Sequence, residues 1–203
     1  LFEHLATSFV RVTVSAIVAI VIALALALAT RRSPIGNEIL QRRVLLFFSS
    51  FPAIGWAILG VIWFQVSSVT VIFIQIAIIL PFCLNNTIEG LRQVDPELEE
   101  LGRSLTASRW RLFTRLTLPL MAPFLVAGLR ISYGICWKIA LVAELFGAER
   151  GLGYLLLQAQ SSANAALVIA CCIVIVFVYT ATDRFALRPL EARFSRNQPE
   201  GAH

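Results

Sequence analysis

The feature that most constrains this sequence is a series of long apolar segments without charged side chains. Residues 12–29, 44–64, 66–86 and 164–182 contain no Asp, Glu, Lys or Arg. Each segment is long enough to cross a hydrocarbon core of about 30 Å as an α-helix. The alternative, a set of buried helices in a large soluble protein, needs a larger polar shell than a chain with only 14% charged residues provides. The sequence therefore predicts an all-α integral membrane helical bundle.

A fifth apolar segment, 116–146, differs from the others because it carries Arg130, Lys138 and Glu144. With this segment included, one transmembrane domain over residues 1–203 has five predicted spans, at about 10–29, 44–64, 66–86, 119–146 and 164–182. The sequence begins at Leu1 rather than at a methionine. We therefore expect a sixth span to precede the first one.

The distribution of basic residues predicts how the spans are oriented. Most of the 17 Lys and Arg residues lie in three segments that alternating spans place on one side: 31–43, 92–115 and 184–196. The positive-inside rule makes that side cytoplasmic. The loop 87–118 and the tail 183–203 are then cytoplasmic, and residues 1–9 begin outside. The net charge of +5 is thus explained without a nucleic-acid partner.

The cytoplasmic loop 87–118 is predicted to contain two short helices. Asp95 and Pro96 are typical of a helix start, and Ser108 is a suitable cap for a second helix. In the second helix Trp110 and Phe113 share one side, and arginines line another. We expect the chain to turn into the next span at Pro119.

The exposed side of this second helix has two possible uses. Aromatic and arginine side chains together are typical of a surface that inserts into a groove of a partner protein. The same residue types also favour an amphipathic helix lying on anionic lipid headgroups. The residues alone do not decide between the two.

The charged span 119–146 carries candidate residues of a solute pathway. Arg130 and Lys138 fall on one helix stripe through Gly134, with Tyr133 and Trp137 beside it. Charges inside a membrane are expected to face protein or a watery cavity, so this stripe suits an anionic or aromatic solute. Alternatively, Arg130 extends towards the cytoplasmic surface. Glu144 is a further candidate for the pathway, with the alternative, which we favour, that it is a structural partner of a backbone donor. We interpret Arg11 as a structural anchor.

No pattern for catalysis is present in the sequence. A phosphate-binding Walker loop, a nucleophile–base pair and a metal-ligand cluster are all missing, and the four cysteines lie within apolar segments. We expect neither an enzyme nor a metal site. The alternative class is an integral membrane enzyme or a scaffold whose loop binds a signalling partner.

The loop from Glu100 to Pro119 resembles the cytoplasmic "EAA" loop of ABC importer permeases. Glu100 occupies the glutamate position, and residues 116–119, LTLP, occupy the terminal I-x-L-P at the right spacing. Leu101 and Gly102 replace the two alanines, and Thr106 replaces the glycine. Further short segments are similar to the nitrate, sulfonate and taurine branch of these permeases: 8–11, 51–56, 86–95, 128–130, 143–144 and 151–153.

The resemblance implies a coupling helix near 106–114 that docks on a separate ATPase subunit. The residues implied in docking are Glu100, Thr106, Ala107, Ser108, Arg109, Trp110, Arg111 and Phe113. It also implies a second permease subunit, most simply an identical copy, two ABC ATPase subunits that bind ATP and Mg, and an extracytoplasmic substrate-binding protein. The chain itself is expected to bind no cofactor and to lie in the bacterial inner membrane.

Overall fold

The computed structural model describes residues 1–31, 33–106 and 108–195 of the 203-residue chain. All regular elements in these ranges are helices, which confirms the predicted all-α class. In chain order they are α1 (Phe2–Thr30), α2 (Pro34–Ser50), α3 (Ala53–Phe64), α4 (Ser68–Arg92), α5 (Pro96–Leu105), α6 (Arg109–Gly147), α7 (Leu152–Ser161) and α8 (Ala165–Phe194). The predicted Ala107 and the end of the predicted tail, 196–203, lie outside the described residues.

Short polar side chains begin several helices, as the sequence predicts. The Asp95 carboxylate accepts from the Glu97 amide at 2.8 Å, and Pro96 occupies the first turn of α5. The Ser108 hydroxyl accepts from the Arg111 amide at 3.4 Å and begins α6. These contacts satisfy amides that have no partner inside the helix.

Four helices are long and apolar enough to cross a membrane: α1, α4, α6 and α8. The predicted second span, 44–64, is not a straight helix, since α2 and α3 meet at a bend of 85°. The bend falls at Phe51 and Pro52, both of which have extended backbones. Proline disfavours a helical conformation in the residue before it, which explains the break. If this bent pair counts as one span, the total is five.

The turn expected at Pro119 is absent from the structure. The second short helix of the loop instead continues into the charged span as the single helix α6, of 39 residues. A π-helical turn over Phe113–Thr117 directly precedes the Leu118–Pro119 step. In a regular α-helix the proline ring would meet the carbonyl of Arg115, and the wider turn relieves this contact.

The core of the bundle lies between α1, α4 and α6. Helices α4 and α6 run antiparallel and form the most extensive pair, and α1 packs on both. Helix α8 lies at the periphery of the bundle, and only 6% of its most apolar 18-residue stretch is buried. A chain with so much exposed apolar surface is suited to a surrounding of lipid or of other subunits.

Candidate functional site

The predicted docking residues that the structure describes lie at an exposed tip at the α5–α6 junction. Trp110 is 71% exposed and Leu105 is 79% exposed. The rings of Trp110 and Phe113 lie 5.9 Å apart, so the two aromatic side chains form one surface. Arg109, Arg111 and Glu100 are also exposed, while Thr106 and Ser108 are partly buried in the turn. This is an aromatic and basic patch at the end of a polar projection.

Behind this tip lies a cleft of about 950 Å³ between α1, α5 and the start of α6. Glu99 is central to it, because its carboxylate forms ion pairs with Arg31, at the end of α1, and with Arg103, one turn along α5. The Glu99–Arg103 distance is 2.8 Å. Sequence reasoning did not single out Arg31 or Glu99, since 68 residues separate them.

The predicted pathway stripe lines a second cavity, a groove of about 720 Å³ between α6 and α8. Arg130, Gly134 and Lys138 all border this groove, together with Tyr179 of α8. Lys138 is exposed and has no ion pair with any other residue that the structure describes. The four-residue spacing thus places the three predicted residues on one open surface.

Arg130 is held by two carboxylates from the C-terminal half of α8. Its guanidinium lies 2.6 Å from Asp183 Oδ1 and 2.6 Å from Glu191 Oε2. Asp183 also accepts from Arg188 at 2.9 Å. Arg130 therefore fastens α8 to α6, and its positive charge is balanced within the chain.

The two aromatic candidates are buried. Tyr133 is 4% exposed and Trp137 is 2% exposed, and their ring centroids lie 6.3 Å apart. Both belong to the core between α1, α4 and α6, but Trp137 also borders the groove, whereas Tyr133 does not. The structure brings Trp137, but not Tyr133, to the charged stripe.

Glu144 lies at the opposite end of the bundle from the docking tip, in a buried polar cluster. It is completely buried and lies 3.1 Å from Arg11 Nη1. The Ser8 hydroxyl lies 2.8 Å from each carboxylate oxygen, and the Gly153 amide donates at 2.9 Å. A buried carboxylate needs this number of donors to offset its lost hydration.

The segment 148–153 completes this cluster through its backbone. The Leu152 amide donates to Ser8 at 2.9 Å, the Gly151 amide to His4 Nδ1 at 3.0 Å, and Arg11 to the Arg150 carbonyl at 2.6 Å. We call Ser8, Arg11, Glu144 and the backbone of 150–153 the outer cluster. It joins α1, α6 and the start of α7.

The two glycines of this segment allow its close approach to Glu144. A Cβ at Gly151 would meet the Glu144 carboxylate, and the backbone there has φ of +129°. At Gly153 a Cβ would lie 2.5 Å from the Leu141 carbonyl oxygen and 2.7 Å from Glu144 Cβ. The Gly-Leu-Gly sequence is therefore required by this packing as well as by the turn.

Comparison with known proteins decides the family. Residues 10–192 match the family described as binding-protein-dependent transport system inner membrane component. The chain belongs to this family. The assignment confirms the resemblance to ABC importer permeases and identifies a multi-pass inner-membrane protein of the permease type, which is not itself an enzyme.

Two relatives in this permease family illustrate the match. The taurine transport system permease protein TauC of Escherichia coli K12 is 28% identical over 96% of this chain and 70% of its own length. The putative aliphatic sulfonates transport permease protein SsuC of Bacillus subtilis 168 is 30% identical over 81% of this chain and 60% of its own length. The chain spans from about half to 70% of the length of such curated relatives.

A solved structure agrees with the permease fold. A chain from an inward-facing structure of the MetNI methionine ABC transporter superposes with a TM-score of 0.79, covering 95% of both chains at 19% identity. At this identity the likeness concerns the fold alone. It confirms that the helical bundle described above is that of an ABC transporter permease.

Proposed function

We propose that this chain is the membrane-spanning subunit of an ATP-driven importer for a small anionic solute. Membership of a binding-protein-dependent transport family supports the import direction and a soluble binding protein as partner. The proposed assembly contains two permease chains around a central path, since closed two-fold symmetry is the commonest arrangement of homo-oligomers. Two ATPase subunits, which would bind ATP and Mg, complete it on the cytoplasmic side.

The observation that carries this proposal is the exposed patch at the α5–α6 junction. Trp110 is 71% exposed, and the exposure of so large an apolar side chain to water is unfavourable unless another molecule covers it. Trp110 is flanked by Arg109 and Arg111. A groove on an ATPase subunit with apolar walls and an acidic rim would match both features. Glu100 lies on the same projection and is available to a partner.

Movement of the ATPase subunits would then be transmitted to the spans. Since α6 runs without a break from the docking patch at Arg109 to Gly147, past Glu144 of the outer cluster, a rotation at its cytoplasmic end also moves its outer end. Such a rigid displacement is a common way to shift an equilibrium between two open states. ATP binding favours one state only if the ATPase contacts differ between the two.

An anionic solute is supported by Lys138. Arg130 is neutralised by Asp183 and Glu191, whereas Lys138 has no acidic partner among the described residues and lies on the open groove. An unpaired cation inside a membrane protein is costly unless water or an anion meets it. The relatives named for taurine and aliphatic sulfonates point to the same kind of solute, a small molecule with a sulfonate group.

The test is uptake into proteoliposomes that contain the chain, an ABC ATPase subunit and a binding protein from the same organism. A panel of radiolabelled taurine, an alkanesulfonate, nitrate and an uncharged amide is offered with and without ATP in the vesicle lumen. We expect ATP-dependent accumulation of nitrate or of a solute with a sulfonate group, and no accumulation of the uncharged amide. A chain that binds a partner through its loop but accumulates no solute with ATP would be a scaffold, and the proposal would be wrong.

A further inference from the structure

Helix α1 forms two ion pairs, one in its N-terminal third and one at its C-terminal end. In the N-terminal third Arg11 contacts Glu144 of α6 at 3.1 Å. At the C-terminal end Arg31 contacts Glu99 of α5. Arg11 and Arg31 are separated by about 30 Å along the helix axis at a rise of about 1.5 Å per residue, which is about the thickness of the hydrocarbon core. The two ion pairs thus lie at opposite faces of the membrane.

Between Arg11 and Arg31 the fully buried face of α1 consists mostly of small side chains, with the partly buried Ile20, Ile22 and Leu26 beside it. Its buried positions from residue 12 onward are Val12, Ser15, Ala16, Ala19, Ala23 and Ala27. Small side chains allow two helices to approach closely, but they interdigitate less than large ones. The small fully buried side chains therefore contribute little interlocking along the helix axis, and the polar contacts of Arg11 and Arg31 supply specific anchoring points for α1.

The ion pair of Arg31 with Glu99 connects α1 to the docking projection, which consists of α5 and the exposed patch around Trp110. Glu99 lies on α5, whose C-terminal end leads directly to the exposed patch at Trp110. The Glu99 side chain is only 16% exposed and that of Arg31 is 28% exposed, so this pair is better shielded than the other ion pairs of the loop. Shielded pairs are weakened less by salt than exposed ones.

At the outer end α1 holds the segment 150–153. The Leu152 amide is bonded to Ser8, and the Gly151 amide to His4, both of α1, whereas the Gly153 amide is bonded to Glu144 of α6. A shift of α1 along its axis would break the first two hydrogen bonds and leave the third in place.

We propose that α1 is a rigid mechanical link, here called the tie rod, between the docking projection and the segment 150–153 on the other side of the membrane. Arg31 and Glu99 are its positioning residues on the cytoplasmic side, and Ser8 and Arg11 are those on the outer side. A displacement of α5 moves Arg31 through its ion pair with Glu99. Because α1 is a stiff helix, the displacement reaches its outer part, and the segment 150–153 opens or closes. This role rests on the proposed import function and adds a route for coupling that is separate from the continuous helix α6.

The first experiment measures hydrogen exchange of the detergent-purified permease, without any partner. Glu99→Gln removes the bridge to α1. Arg103→Gln is the matched control, because it removes the other ion pair of the same carboxylate, which lies within α5. We expect the Gly151 and Leu152 amides to exchange about fivefold faster or more in Glu99→Gln, and within about twofold of the parent rate in Arg103→Gln. Equal rates at these amides in the two variants would overturn the proposal.

The second experiment separates a positioning role from general stability. Arg31→Glu and Glu99→Arg are made singly and together, and solute transported per ATP hydrolysed is measured in the reconstituted complex. We expect each single variant to lower this ratio about tenfold while the ATPase subunits stay bound, and the exchanged pair to restore at least half of it. The tie-rod role would be contradicted if the exchanged pair restored neither the ratio of solute transported to ATP hydrolysed nor the slow hydrogen exchange at Gly151 and Leu152.

The two proposals fail in different ways. If the parent complex moves no solute with ATP, the import function is wrong, and the exchange rates still decide whether Glu99 controls the outer segment. If the parent complex imports and Glu99→Gln leaves both the exchange rates and the transport ratio unchanged, only the tie rod is wrong.

Discussion

Arg11 and Glu144 form an ion pair in which Nη1 and Oε1 lie 3.1 Å apart and both side chains are almost completely buried. They are 133 residues apart in the sequence and join the first span to the charged span. Because Ser8 and the Gly153 amide also donate to Glu144, the carboxylate is the centre of the outer cluster.

Glu144→Gln should strongly destabilise the protein. The substitution leaves Arg11 buried without its partner, and breaking a buried ion pair in this way typically costs about 3–5 kcal/mol. The measurement is unfolding in mixed micelles, followed by the exposure of the buried cysteines. Glu149→Gln, at an exposed position five residues later, is the control and should change little. A stability of Glu144→Gln equal to that of this control would show that the cluster is not structural.

Gly151→Ala should open the outer segment. The new Cβ would meet the Glu144 carboxylate, and the backbone φ of +129° is strained for any residue with a side chain. We expect protease cleavage within 148–153 to become at least about tenfold faster, because the segment separates locally from Glu144. Gly36→Ala serves as control, since its Cβ would lie no closer than 3.2 Å to the side chains of Ser33 and Thr30 and its φ is not in the left-handed region. Equal cleavage rates in the two variants would exclude the close approach as the reason for the glycine.

Asp183→Asn should loosen the C-terminal half of α8. The Asp183 carboxylate is bonded to Arg130 at 2.6 Å and to Arg188 at 2.9 Å, and its loss should cost about 1.5–3 kcal/mol. Trypsin cleavage after Arg184 or Arg188 reports the opening. Glu38→Gln is the comparison, because its ion pair with Arg42 is highly exposed and should contribute little. Similar cleavage of both variants would show that the Arg130 network does not anchor α8.

Lys138→Met should reduce the uptake of an anionic solute without affecting assembly. Lys138 has no ion pair among the described residues, so its removal leaves the packing intact, while a lost charge-assisted contact to the solute should lower uptake about tenfold. Lys138→Arg keeps the charge and should retain most of the activity. The measurement is the initial uptake rate at a low solute concentration. An unchanged rate in Lys138→Met would remove this residue from the pathway.

Local features of the structure were predictable from the sequence. The caps at Asp95 and Ser108 depend on residues within one helical turn, and the stripe from Arg130 to Lys138 depends only on helical spacing. The interpretation of Glu144 as a partner of a backbone donor also matches the geometry, since the Gly153 amide donates to it. The membrane class followed from the lengths of the apolar segments.

Other features depend on contacts between distant parts of the chain. The pairing of Arg31 with Glu99 has no local signature, because either residue alone is typical of a hydrated helix end. The burial of Tyr133 could not be predicted for a related reason. The neighbouring residues on α6 do not show which face of this helix α1 and α4 cover. The continuous α6 was missed because a π-helical turn before Pro119 allows a helix where a regular one would end.

The central claim, that the α5–α6 junction is the surface on which an ATPase subunit docks, is tested most directly by co-purification. Three forms of the chain are each co-purified with the ATPase subunit: the parent chain, the double variant Trp110→Ala with Arg111→Glu, and the variant Trp63→Ala. The last is the matched control, because Trp63 is also an exposed tryptophan, 59% exposed, but lies at the end of α3. The account predicts that the ATPase subunit is lost from the double variant and retained by the parent and the Trp63→Ala control. Full retention by the double variant, with unchanged ATP hydrolysis, would contradict it.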